Sequence, residues 1–319
     1  RGLLAACLAA CAPAARGALL ARPRKAKHVK FNWTELHEVK ASYGASLERS
    51  AAATLAAATA PQPGCLDARA WLADFVKQEA WSKFSEGDQD SVLASLFDDK
   101  HLSTTNRYFV EFGFPDTRFE KSTGNGHYLN KALHFEDFLL MDAGVHAPEI
   151  RLKQHFITDA NVVELFDKYD VPTEPDYVSV DIDSCDIWVF YALTSKYRPR
   201  VVTVEYNSNY AFGTYTALRC KQGDRYSYRG DNLFGASLSA IELAARERGY
   251  ALVYATPRMD LFFVRQDLLC SGTAPPAATF SGATALPFHQ PYLGKDRDTL
   301  LVDFQHWLAH SRHHSHRQR

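Results

Sequence analysis

The chain is short of extremes, and what it lacks excludes whole classes of function. Its 36 basic and 37 acidic residues leave a formal charge of -1, so no surplus drives it toward nucleic acid or an anionic membrane. The six cysteines include no CxxC pair and no ligand-like spacing, which argues against a structural zinc site. The apolar run over residues 2–12 is too short to span a bilayer, and no transmembrane segment is expected. No acidic residue precedes Glu35.

That last absence marks residues 1–30, rich in Ala, Leu and Arg, as a targeting leader. Ala10-Cys11-Ala12 or Ala12-Pro13-Ala14 suits signal peptidase, which points to the secretory pathway; the Arg and Lys that follow suit an organellar transit peptide instead. Cys7 and Cys11 fall in this leader. If the protein is secreted, disulfides are allowed among Cys65, Cys185, Cys220 and Cys270, with Cys65 and Cys220 in loop-like contexts. Spacing alone does not pair them. The basic, His-rich residues 310–319 read as a solvated tail.

The 319 residues, 46% hydrophobic and 13% aromatic, suffice for one large core with elaborations. Residues 34–60 are Ala- and Ser-rich and end in Pro61-Gln62-Pro63-Gly64, which reads as a poorly packed lead-in. Helical spacing of Trp71, Leu72, Phe75, Val76 and Trp81 predicts a helix over 66–84, with Asp67 in its first turn, and a shorter one over 91–97. The expected division is a leader at 1–30, a lead-in at 31–64, a helical extension at 65–100, a main domain at 101–270 and a C-terminal extension at 271–319.

Within the main domain, strands are expected over 107–114, 138–143, 150–157, 177–183 and 200–206. Helices are expected over 128–134, 160–169 (with Thr158 as N-cap) and 185–195. Residues 174–210 form the central strand, helix, strand unit, which makes its two strands parallel and buried on both faces. Val178, Val180 and Ile182 oppose Ser179, Asp181 and Asp183; Val202, Val204 and Tyr206 oppose Thr203, Glu205 and Asn207. Both strands therefore end in carboxylates, at the edge where open parallel sheets bind ligands. A polar rim facing water is the plainer alternative.

The aromatic and basic stretch 211–232 reads as a functional connection or a lid held by its own side chains. A helix over 237–248 and strands over 250–255 and 261–265, close enough for a hairpin, follow it. A last helix is expected over 298–309.

A doubly wound, mostly parallel Rossmann-like α/β sheet closed by an antiparallel hairpin is the arrangement of class I S-adenosylmethionine-dependent methyltransferases. The sequence resembles their FkbM-like branch in Val110-Glu111-Phe112-Gly113-Phe114, in FLLMDAG over 138–144, in the long block 156–190, in YRPRVVTVEYNSNY over 197–210 and in DLFFVRQDL over 260–268. The resemblance implies that Glu111 and Gly113 meet the methionine part of the cofactor. It further implies that Asp142 accepts from the ribose hydroxyls, that Asp159 lies near the adenine, and that Asp181 and Asp183 flank the transferred methyl. Asp183 or Glu205 is then the candidate base for an acceptor hydroxyl and Asn207 its orienting group. The acceptor itself, a small molecule, sugar or protein, is not read from the sequence.

The chain departs from that pattern after Glu111, where only Gly113 remains of a glycine-rich loop and Gly124 and Gly126 come late. A methyltransferase-like scaffold without activity, its carboxylates satisfied by internal hydrogen bonds, Arg198 or Arg200, is one rival reading. Another is a metal-dependent glycosyltransferase, since Asp181-x-Asp183 resembles a DxD and Asp186, Glu205 and Asn207 would help hold Mg2+ or Mn2+ through oxygen. The methyltransferase reading requires no metal.

Overall fold

A computed structural model describes residues 31–53, 64–114, 116–220, 226, 228–284, 286 and 289–315. The proposed leader, Pro115, Lys221 and Arg225 lie outside the described residues. Apolar runs, aromatic and aliphatic in β1 (Tyr108–Phe112) and β2 (Asp137–Asp142) and Val-rich in β4 (Tyr177–Val180) and β5 (Val201–Glu205), form strands that with the short β3 (Leu152–Gln154) are all mutually parallel. A hairpin of β7 (Tyr250–Ala255) and β8 (Asp260–Arg265) adds β8 antiparallel to β5, giving the order β3-β2-β1-β4-β5-β8-β7. The fold is thus α/β with a mostly parallel sheet, and the chain reverses its direction of winding between β1 and β4.

Alternation along the strands assigns the two faces. On β1, Phe112 meets Phe166 of α5 (Val162–Lys168), while the carboxylate of Glu111 points the other way, to the start of α4 (Gly126–Leu133). Beside α5 lie α6 (Asp186–Leu193) and α7 (Leu238–Glu247). α6 is apolar all round because it is covered twice. Its inner side lies on the sheet, and Trp188 meets Phe304 and Trp307 of α9 (Phe304–Ser315). The opposite layer holds α1 (Trp33–Ala53), α2 (Ala68–Phe75), α3 (Gln89–Leu96) and α4, with Trp71 Nε1 donating to Ser95 Oγ between α2 and α3.

Several expectations change. Residues 34–60 are not a loose lead-in as far as Ala53: α1 buries Leu36, Val39, Tyr43 and Leu47 against the domain, and Tyr43 OH donates to Ala255 O at 2.8 Å. The helix expected over 66–84 stops at Phe75; Asp67 is its N-cap, accepting from Ala70 N, and Trp81 is exposed. β4 ends at Val180, so Asp181 and Asp183 belong to a loop, where Asp183 takes the left-handed backbone with φ +57°. Asn161, not Thr158, precedes α5, its Oδ1 accepting from Thr158 N. The stretch 211–232 contains β6 (Thr216–Leu218), paired with β9 (Leu301–Asp303) after the short α8 (Arg297–Leu300), and the last helix is shifted to α9.

Two disulfides fasten the described chain: Cys65–Cys270 and Cys185–Cys220. Such bonds persist in an oxidising, secretory-type environment. The first joins the entry to α2 with the end of the hairpin, where Leu66 bridges Leu269. The second ties the start of α6 to the segment after β6. Peptide mapping without reductant is expected to recover these two pairs; a free Cys185 or a swapped partner would contradict the arrangement. No helix among the described residues is long and apolar enough to cross a membrane.

Candidate functional site

The carboxyl ends of the parallel strands gather the acidic residues. Register pairs Glu111 with Ser179 across β1 and β4, and Glu205 with Asp260 across β5 and β8. Residues two apart share a face, so Ser179, Thr203, Glu205 and Asp260 look toward the α4 layer with Glu111. One side chain connects this strip: Asn125 Nδ2 donates to Ser179 Oγ at 3.2 Å and to Asp260 Oδ2 at 3.1 Å, while Thr203 Oγ1 donates to Ser179 Oγ at 3.1 Å. Gln89 Nε2 adds a second donor to Asp260 Oδ2 at 3.0 Å. Asp260 therefore reaches over β5 toward β4.

Glu111 is committed to the protein's own backbone. Its Oε1 accepts from Asn125 N at 2.8 Å and its Oε2 from Gly126 N at 2.9 Å. This explains the late glycines: a Cβ on Gly124 would lie 2.3 Å from Glu111 Oε1, and one on Gly126 would lie 2.2 Å from the Phe109 ring. Burial raises the Glu111 carboxyl to about 7 even against those two N–H groups. Any effect of Glu111 on a ligand passes through the loop it fastens. Gly113 has φ +71°, and a Cβ there would lie 2.0 Å from Asp181 O, so the ends of β1 and β4 close on each other as only glycine allows. Phe114, fully buried, packs on Phe119.

Asp142 is half-buried at the end of β2. Its Oδ1 accepts from Gly144 N at 2.6 Å and Val145 N at 2.9 Å, a turn that fixes the side chain and leaves Oδ2 for another donor. Burial raises its carboxyl despite the two bonds. Asp159 is half-buried on the turn before α5.

Past the ends of β4 and β5, one carboxylate oxygen from each of Asp181, Asp183 and Glu205 lies within 4.8 Å of the others. Burial first, then the adjacent charges of Asp183 and Asp260, pushes the Asp181 carboxyl well above the usual range. Burial, then Asp181 and Asp183, does the same to Glu205, whose Oε2 is buried without a hydrogen-bond partner among the described residues. Tyr228 adjoins this group: burial, then the charges of Asp183 and Glu205, pushes its phenol up. Tyr228 also packs with Phe234 and His289.

The remaining candidates have structural duties. Asp186 accepts from Ile182 N at 2.7 Å and Ser184 N at 2.9 Å, shaping the loop that carries Asp181 and Asp183. Asn207 Nδ2 donates to Asn232 O and Phe234 O, both at 3.0 Å, and its Oδ1 accepts from Asn209 N, so it pins the following segment. Arg200 pairs with Asp176 at 2.9 Å and Arg198 with Asp267 at 3.8 Å. Neither arginine neutralises the acidic group. Asp260 and Asn125 lie outside the sequence-derived set; an acidic residue opening the DLFFV strand, which pairs antiparallel with β5 and sets Asp260 beside Glu205, is the available signal for Asp260. The acidic edge can meet a cation or accept a proton. No family model matches the chain, and no curated protein matches it in sequence.

Proposed function

We propose that the chain is an S-adenosylmethionine-dependent methyltransferase acting on a small-molecule, sugar or protein acceptor. The observation that carries this reading is the row of carboxylates at the ends of β2, β4 and β5, flanking the point where the winding of the sheet reverses, with no cationic side chain paired to Asp142, Asp181 or Glu205 among the described residues. Open α/β sheets take ligands at that place. The hairpin-closed sheet and the resemblance over 110–268 favour this cofactor, and the donor set fits it. Asp142 Oδ2 suits a ribose hydroxyl, and the acidic edge suits a sulfonium and an ammonium.

When bound, the cofactor supplies an electrophilic methyl and keeps the electron pair of the broken S–C bond as a neutral thioether. The chain's own part is to hold the acceptor in line, exclude water and take the proton that the acceptor oxygen loses as its new bond to carbon forms. Glu205, with a buried oxygen that no described residue hydrogen-bonds and a raised pKa, is suited to receive that proton. Asn207 positions the 232–236 segment instead of touching the acceptor.

Calorimetric titration with S-adenosylhomocysteine is expected to give saturable binding, weakened roughly tenfold or more in Asp142→Ala, the cost of one charge-assisted hydrogen bond. A folded protein that shows no binding would select the inactive scaffold, which the engaged Glu111 and buried Phe114 favour. Metal-dependent binding of a nucleotide sugar without S-adenosylhomocysteine binding would select the glycosyltransferase.

A further inference from the structure

We propose that Asp181, Asp183 and Glu205 form a binding site for one hard divalent cation of the Mg2+ or Mn2+ kind. The three residues arrive from two strand ends and present oxygens within 4.8 Å of one another, a spread that one ion contacting all three can span. An acidic group alone is common on protein surfaces. Here the buried oxygens beneath it add a second observation.

Among the described residues Glu205 Oε2 is buried without a hydrogen-bond partner, and so is Oδ1 of Asp260, a residue only 3% exposed. Asp260 stands in register beside Glu205, on the same face of the sheet. Its other oxygen is held by Asn125 and Gln89, and the link from Asn125 to Ser179 draws the carboxylate across β5, one layer below Asp181. Among the described residues no Lys or Arg pairs with Asp181, Glu205 or Asp260, and the two arginines of the central unit pair with Asp267 and Asp176. Asp183 is exposed and opens the group to water, while Asp181 and Glu205 are half-buried above Asp260; carboxylates so placed repel one another, and a bound dication would offset that repulsion.

All the donors are carboxylate oxygens, with no thiolate or imidazole among the three. This selects a hard ion over zinc or copper. The second sphere is also built. Asp186 holds the 182–184 loop by accepting from two backbone N–H groups, and the Cys185–Cys220 bond anchors the same turn. Tyr228 stands at the side of the site, its hydroxyl buried and without a hydrogen-bond partner among the described residues. An ion held here would lower the pKa of an acceptor hydroxyl that approached it; with Glu205 engaged as a ligand, the proton lost by that hydroxyl would pass to water instead of to Glu205. That use of the ion rests on the methyltransferase reading; the ion's binding does not.

The test is titration of the full, disulfide-intact chain with Mn2+, after chelator treatment and without any nucleoside, followed by electron paramagnetic resonance and calorimetry. One saturable equivalent, displaced by Mg2+, is expected. Asp183→Asn and Glu205→Gln should each weaken it at least tenfold. Asn is tolerated in the left-handed backbone that Asp183 adopts, so Asp183→Asn keeps the fold, which an unchanged melting temperature in chelator verifies. No saturable binding up to about 10 mM, beyond the weakest specific sites of this type, or equal binding by wild type and both variants, would overturn the proposal. S-adenosylhomocysteine titration of the same samples tests the methyltransferase reading separately.

Discussion

Asp176→Ala is expected to destabilise the protein by about 3–5 kcal/mol, the usual consequence of stripping one partner from a buried ion pair. Asp176 is fully buried at the start of β4, at the opposite end of the strand from the candidate site. Its carboxylate accepts from Thr105 N at 2.8 Å, Thr105 Oγ1 at 2.8 Å, Asn106 N at 3.1 Å, Arg107 N at 2.7 Å and Arg200 Nη1 at 2.9 Å. Arg200 also donates to Ser103 O. Alanine would leave three backbone N–H groups and a guanidinium without their acceptor in a place where water does not replace it. Asp176→Asn, which keeps the shape and one acceptor oxygen, should cost visibly less. Urea unfolding at neutral pH measures both, and an alanine variant within about 1 kcal/mol of wild type, no more than the net worth of one ordinary hydrogen bond, would contradict this account. Because the network sits away from the acidic edge, variants that remain folded should keep their Mn2+ affinity.

The same contrast between the two ends of β4 explains what the sequence could disclose. Short β-branched runs around one helix identify a parallel unit, and the carboxylates at the ends of both runs mark Asp181, Asp183 and Glu205 as neighbours from the sequence. Pairings made over long separations leave no such local mark. Thr216 meets Asp303 in β6 and β9, strands of three residues each, and nothing near either predicts the other. α1 escaped detection because small Ala and Ser residues dilute its apolar stripe and because Lys40, which reads as surface, is buried with Nζ donating to Gln78 O over the Phe75 ring. Asn207 has the right residue type in the right place, but its amide is consumed by carbonyls some 25 residues further along the chain, a use visible only once the 232–236 segment is folded back. Glu111 is similar: position on the strand was legible, its role as a fastener for residues 125 and 126 was not.

That role makes Glu111 a source of pH-dependent stability. In the unfolded chain its carboxyl titrates near the ordinary 4.5, and in the fold burial raises it to about 7. Between those values the folded state holds a proton that the unfolded state has lost, so stability falls as pH rises. The contribution is fully present below 4.5 and is lost as pH passes through about 7; the gap is worth about 3 kcal/mol. The charges of Asp260 and Asp90 add to the burial, and Asn125 N and Gly126 N oppose it. Other raised carboxyls, Asp181 and Glu205 among them, tilt the whole profile the same way, so wild type alone does not isolate the effect. Glu111→Gln does, because glutamine stays neutral throughout. Its carbonyl keeps one of the two backbone donors, while its NH2 faces the other and costs about 1–3 kcal/mol at every pH. Urea unfolding from pH 5 to 8 should therefore give a shallower decline for Glu111→Gln than for wild type, the two curves converging as pH rises. Parallel curves would mean that Glu111 titrates alike in both states, and that the glycines at 124 and 126 wrap a carboxylate that is already ionised at pH 5.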